Sequence, residues 1–318
     1  FLLLLLVLLL LLGLQLHHLQ ILLLVFPPTN SPLEIAPATP SPSPAIIYRD
    51  NTPVCLVPLA DGDATTYNDV ACIDYSHSSV GYIMAKYTGS CPKVKLRITT
   101  PDTTIYTYDL HGSDYEVFPL SCGSGTYEVT IYENISGNNY STCLYEKLSV
   151  SITDEFSPFL YPNQYVNFNE NSLTVAKGAE LAATALDELD VITKIYDYIT
   201  TTITYDYEKA SNPPAGYTTN VDEILNSGTG ICLDYAAVMT SMLRSQRIPT
   251  RLEVGYAQDA YHAWISIYTE ETGWLNGIIE FDGSEWSLVD PTFGANTDDE
   301  TLKTFIGTGS NYILQKMY

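Results

Sequence analysis

The stretch Ser227-Gly228-Thr229-Gly230-Ile231-Cys232-Leu233-Asp234-Tyr235-Ala236-Ala237-Val238-Met239 organises the reading of this chain. Glycines at 228 and 230 let the backbone turn sharply. Beyond Cys232, residues Ala236, Met239, Leu243 and Gln246 recur at helical spacing. Cys232 is therefore expected at a helix N-terminus, where first-turn N–H groups lack intrahelical partners and the helix dipole favours negative charge. Such an end stabilises a thiolate and can hold an oxyanion. Taken alone, a cysteine there reads as packing as readily as it reads as a nucleophile. Asp234 near the helix start is accounted for by the same dipole.

Downstream, Arg247-Ile248-Pro249 stops the helix and residues 251–256 read as a strand. Asp259-Ala260 begins a turn, and Tyr261-His262-Ala263-Trp264-Ile265-Ser266-Ile267-Tyr268 reads as a second strand. Its alternation sets His262, Trp264, Ser266 and Tyr268 on one face and Ala263, Ile265 and Ile267 on the other. A third strand, 285–290, ends in Asp290 before Pro291-Thr292. An Asp in that position can simply start a turn. It can also orient an imidazole. A thiol nucleophile needs a base for its proton, and the base needs an acceptor to fix its tautomer. His77 and His111 fall in the β-rich first half and His17-His18 in the leader, so His262 is the histidine available to Cys232.

Three blocks in order, Gly230–Ala236 around Cys232, Tyr261–Trp264 around His262 and Trp286–Thr292 around Asp290, resemble those of the transglutaminase-like superfamily. Thirty residues separate the cysteine from the histidine and twenty-eight separate the histidine from the aspartate. The resemblance covers about residues 170–295. It implies an α+β, papain-like core with an antiparallel sheet. It also implies a catalytic triad of Cys232 as nucleophile, His262 as base and then acid, and Asp290 as orienter. The implied reaction is acyl transfer from an amide through a thioester, with a lysine amine or water as acceptor. Tyr205 and Tyr207 are candidates for a side-chain oxyanion donor. Two alternatives stand beside the enzyme: a non-catalytic surface binding module that keeps the fold, and a structural disulfide through Cys232.

Working upstream, Val191, Ile192, Ile195, Tyr196 and Ile199 make one apolar helical stripe, expected to pack against a sheet. The β-branched run 200–204 ends it, Asn212-Pro213-Pro214-Ala215-Gly216 marks a loop, and 220–226 reads as a short amphipathic piece. Residues 46–153 carry short Val-, Ile-, Thr- and Tyr-rich runs (80–87, 93–99, 104–110, 125–133, 144–152) separated by turn residues. That spacing predicts an all-β, Ig-like sandwich. The predicted organisation is multidomain: an apolar export or anchoring segment over 1–26, a proline-rich linker over 27–45, the sandwich over 46–153 and the catalytic domain over 156–318.

The formal net charge is −23, from 37 acidic and 14 basic residues. Nucleic-acid binding, which needs basic patches, is excluded as a function class. The expected partner is a protein or peptide substrate, with the N-terminal segment serving membrane or cell-wall attachment and the protein secreted or held at the cell surface. No cofactor or metal is called for. The acidic run Asp298-Asp299-Glu300 lacks the spacing of a calcium loop. Five of the six cysteines lie in the β-rich half, where pairing is expected in an oxidising compartment.

Overall fold

Alternation of apolar and polar residues along 93–99 demands a strand with one face in a core. In the computed structural model this strand buries Val94, Leu96 and Ile98 and leaves Lys95, Arg97 and Thr99 partly exposed. Residues 49–257, 260–276, 279–281, 286–288 and 312–318 are described. Two compact units divide the chain, Phe1–Ile46 and Ile47–Tyr318, and the first lies outside the described residues.

The β-rich half contains β1 (Thr65–Tyr67), β2 (Ala71–Asp74), β3 (Tyr82–Tyr87), β4 (Val94–Thr99), β5 (Ile105–Leu110), β6 (Glu116–Pro119), β7 (Gly125–Ser136) and β8 (Asn139–Val150). They form two four-stranded antiparallel sheets, ordered β1-β2-β3-β6 and β5-β4-β7-β8. Ile73, Ile83 and Phe118 from the first sheet and Leu96, Val129 and Ile131 from the second share one buried cluster. Strands β1, β2 and β6 were not foreseen. They are three or four residues long, too short for alternation to register.

Four helices precede the cysteine stretch: α1 (Leu173–Ala182), α2 (Glu188–Thr202), α3 (Tyr207–Ser211) and α4 (Val221–Ser227). Every member of the α2 stripe is buried, and the helix packs chiefly on α1 and on α5 (Cys232–Ser245), with only a smaller contact to the strand Ile279–Phe281, so the expected sheet packing is minor. The sheet partner is α5, which lies against β11 (Thr250–Ala257) and β12 (Ala260–Thr269). With β13 (Gly273–Asn276) and β16 (Tyr312–Met317) these form a four-stranded antiparallel sheet ordered β13-β12-β11-β16. The segment 285–290 contributes a strand over Trp286–Leu288, paired antiparallel with Ile279–Phe281.

Because α5 is buried on all sides, even its arginine is inside. Arg244 is 1% exposed, and its guanidinium donates to four acceptor contacts on three carbonyls: Thr250 O (3.0 and 2.8 Å), Tyr161 O (2.6 Å) and Tyr318 O (2.7 Å). Burial lowers its pKa from the usual arginine value, while the carbonyl dipoles hold the charge in place. One side chain thus ties the helix end, the segment joining the two halves, the start of β11 and the last residue. All six cysteines are free thiols. No helix among the described residues is long and apolar enough to cross a membrane.

Arg244→Met keeps the bulk but removes four hydrogen bonds from a charged donor, and although Tyr318 O keeps Leu252 N as a donor (3.1 Å), each lost bond costs on the order of 1–3 kcal/mol. Urea unfolding should show a loss of at least about 3 kcal/mol.

Candidate active site

The turn into α5 is built from local rules. Gly228 closes α4 in the left-handed region (φ 63°), the conformation that favours glycine at a helix C-terminus. Gly230 is required by space: a Cβ there would lie 2.7 Å from Cβ of Asp234. Ile231 is the extended N-cap, and its carbonyl accepts from Asp234 N (2.8 Å) and Tyr235 N (3.1 Å). Cys232 is the first helical residue and half-buried.

Two short parallel strands, β9 (Thr204–Tyr205) and β10 (Thr229–Gly230), run into this turn. Thr204 N donates to Gly228 O (2.8 Å) and Asp206 N to Gly230 O (2.9 Å). This pairing delivers Tyr205 beside the cysteine.

Asp234 is fully buried and accepts from four donors: Ile231 N (2.9 Å), Thr219 Oγ1 (2.7 Å), Tyr217 Oη (2.6 Å) and Lys209 Nζ (2.9 Å). Lys209 also donates to the Tyr217 hydroxyl. Burial pulls the Lys209 ammonium down, but the bonds to Tyr217 and Asp234 win and the net shift is upward. Burial, with the bond to Asp234, pushes the Tyr217 phenol up to about 12. The carboxylate therefore holds both the helix start and the 207–219 segment that faces it.

His262 sits on β12 opposite Gly255 and is 7% exposed. Its ring stacks near Trp264 (centroids 6.4 Å apart) and lies 6.5 Å from Tyr312. Trp264 is itself held: its Nε1 donates to Glu253 Oε2 (2.6 Å), as does Ser266 Oγ (2.7 Å). Burial raises the Glu253 pKa, and the two hydrogen bonds and nearby Arg251 offset this only in part.

Cys232 and His262 line one cavity of about 320 Å³, together with Tyr165, Tyr205, Tyr217 and Tyr261. Among its described lining residues none carries an Asp, Glu, Lys or Arg side chain. Desolvation raises the Tyr261 phenol, as do neighbouring Tyr165, Tyr256 and Cys232, and burial likewise raises Tyr165 and Tyr217. Two of the three expected catalytic residues are thus brought together. Asp290 lies outside the described residues. Of the two oxyanion candidates, Tyr205 lines the cleft, while Tyr207 is 70% exposed and packs against Tyr205 (5.0 Å). The Asp234 network was missed. Its acceptor lies at the N3 position, where a carboxylate reaching back to the N-cap is a known capping pattern. Its side-chain donors come from α3 and the loop that follows it, 15 to 25 residues upstream, where no periodicity marks them. No group of three or more His, Cys, Asp or Glu among the described residues is placed to hold a metal ion.

Residues 176–277 match the model of the transglutaminase-like superfamily. Among characterised proteins it is similar to a protein-glutamine gamma-glutamyltransferase of Pseudomonas aeruginosa, 31% identical over 118 residues. That match spans 32% of this chain but only 16% of the relative. Among solved structures it is similar to the periplasmic domain of TgpA from Pseudomonas aeruginosa (13% identity, 78% of this chain and all of that one, TM-score 0.33). It is also similar to red sea bream transglutaminase (14% identity, 68% of this chain and 48% of that one, TM-score 0.28).

Asp234→Asn should lower stability by about 3 kcal/mol in denaturant unfolding, because it leaves a partly buried ammonium without its anion. Tyr217→Phe, which removes the bond donated to Asp234 and the one accepted from Lys209, should cost about 1–3 kcal/mol. Glu253→Gln tests the other buried carboxyl. A folded pKa raised above the unfolded value of about 4.3 means stability present at low pH and lost as pH rises through the folded pKa. The stability difference, variant minus wild type, should therefore grow in favour of Glu253→Gln between about pH 4 and pH 8.

Proposed function

We propose that the chain is a cysteine-dependent acyltransferase acting on amide bonds of proteins or cell-wall peptides, as a transamidase or as a cysteine peptidase or amidase. The observation that carries the reading is the meeting of Cys232, at a helix N-terminus, with His262, on an adjacent strand, in one cleft. In the first step Cys232 Sγ attacks the amide carbonyl while His262 takes the thiol proton. An S–C bond forms, the C–N bond breaks, and the imidazolium gives its proton to the departing amine or ammonia. In the second step a lysine amine or water attacks the thioester and yields its proton to His262. The S–C bond breaks, and the returning proton restores the thiol. Asp290 is assigned to hold the imidazole tautomer. First-turn N–H groups, with the hydroxyl of Tyr205, are the proposed stabilisers of the oxyanion.

The region 46–153 is read as an Ig-like sandwich that positions or presents substrate beside the catalytic region 156–318. The proposed location is outside the cytoplasm, with residues 1–26 as export or anchoring segment. The description of one related structure as a periplasmic domain is in keeping with this.

In the test, the wild type, Cys232→Ala and His262→Ala are incubated with a glutamine-containing protein and a fluorescent primary amine. The wild type is expected either to incorporate the amine or to release ammonia or cleaved peptide, which also decides between transamidation and hydrolysis. Both variants should lose at least about 1,000-fold in rate with unchanged unfolding midpoints. Iodoacetamide labelling of Cys232 at pH 6 should also slow in His262→Ala. Labelling that is equally slow in both proteins, with no turnover, would leave a binding module and not an enzyme.

A further inference from the structure

A second concavity lies away from the cysteine cleft, on the segment that joins the two halves. Two hollows of about 340 and 330 Å³ share Gln164, Asn167, Asn169 and Thr218, so they form one continuous groove. Side-chain amides and hydroxyls make up about half of its lining; the two carboxylates there are already engaged, Glu116 by Gln164 Nε2 and His111, and Asp222 by Thr174 N. Among the described lining residues there is no lysine or arginine.

One wall carries a donor that the fold leaves unused. Asn163 is 4% exposed, and its Oδ1 accepts from Tyr165 N (2.9 Å) and Val166 N (3.1 Å). Those two bonds fix which way the amide points. Its Nδ2 is then buried with no hydrogen-bond partner. A buried unpaired donor is costly and asks for an explanation such as an external partner. Gln164 is the opposite case. Its Nε2 donates to Asp109 O (2.6 Å) and Glu116 Oε2 (2.7 Å), which leaves its Oε1 for a donor from outside.

The chemistry limits what fits. An anionic ligand would find no lysine or arginine among the described lining residues, would meet Glu116 and Asp222, and would approach a chain of net charge −23. An apolar peptide would find few anchors, because the larger apolar lining residues Met84, Phe168 and Val221 are buried. A neutral molecule with many hydroxyl and amide groups matches both the free donor and the free acceptor. We infer that this groove binds a neutral oligosaccharide, with N-acetylated sugars favoured because their amides pair with Asn and Gln. Binding there does not use Cys232 and holds whether or not the cleft is catalytic.

The experiment uses the full chain and isothermal titration with three probes: a β-1,4-linked N-acetylglucosamine tetramer, the corresponding glucose tetramer and a neutral Asn/Gln-containing tetrapeptide. The N-acetylglucosamine tetramer should bind with a Kd between about 10 μM and 1 mM. The double variant Asn167→Ala/Asn169→Ala changes only exposed side chains and should weaken it at least about 10-fold. Asn163→Ala should do the same if it folds, and Cys232→Ala should leave binding unchanged. The inference fails if neither saccharide binds up to about 10 mM, if the double variant binds as the wild type does, or if the peptide binds more tightly than both sugars.

Discussion

A carboxylate with no access to water stays charged only if donors and a countercharge surround it. Asp234 meets that condition through Ile231 N, Thr219, Tyr217 and Lys209. Each donor comes from a different point of the approach to α5, so satisfying one buried charge determines where the 207–219 loop, the turn at 228–231 and the first helical residue must lie. Gly230 belongs to the same constraint, since any side chain there would collide with Asp234. The placement of Cys232 follows from these contacts more than from its own packing, which is only partial.

The other end of α5 carries the complementary device. Arg244 is as deeply buried but is held by carbonyls and has no acidic partner among the described residues. An acid in the first turn and a base in the last both agree with the helix dipole. Between them Ala236, Ala237, Val238, Met239, Met242 and Leu243 are buried, so the helix is enclosed throughout. Such a helix has no freedom to rotate or slide without stranding one charge or the other. That rigidity is what a site needs when a nucleophile on the helix and a histidine on the neighbouring sheet must meet.

Much of this was legible before the structure, for identifiable reasons. The glycine-cysteine turn, the α2 stripe and the β4, β11 and β12 strands follow from local rules of turn chemistry and periodicity. What was not legible is long-range. The α2 stripe states that a face is buried but carries nothing about whether helices or a sheet cover it. The acceptor of the Asp234 network was visible as a helix-start carboxylate, but its side-chain donors sit in the short helix α3 (Lys209) and in the loop after it (Tyr217 and Thr219), whose sequence reads as punctuation. Tyr205 and Tyr207 were equivalent candidates in sequence. Only the pairing of β9 with β10 separates them, by bringing the first into the cleft and leaving the second at the surface.

The balance between a strongly acidic chain and a cleft without charged lining residues has a mechanistic consequence. Negative charge developing at a reacting carbonyl would be opposed by the field of the whole protein, though screening confines that field to about 8–10 Å at ordinary ionic strength. Close, fixed dipoles are not screened in this way. On the proposed mechanism the stabilisation must therefore come from the first turn of α5 and from the phenol of Tyr205, since the single hydroxyl proton of Tyr217 is already donated to Asp234. Neutral donors suit this site better than lysine would: they lend hydrogen bonds to an oxyanion, attract no stray carboxylates from an acidic surface, and do not compete with His262 for the cysteine's proton.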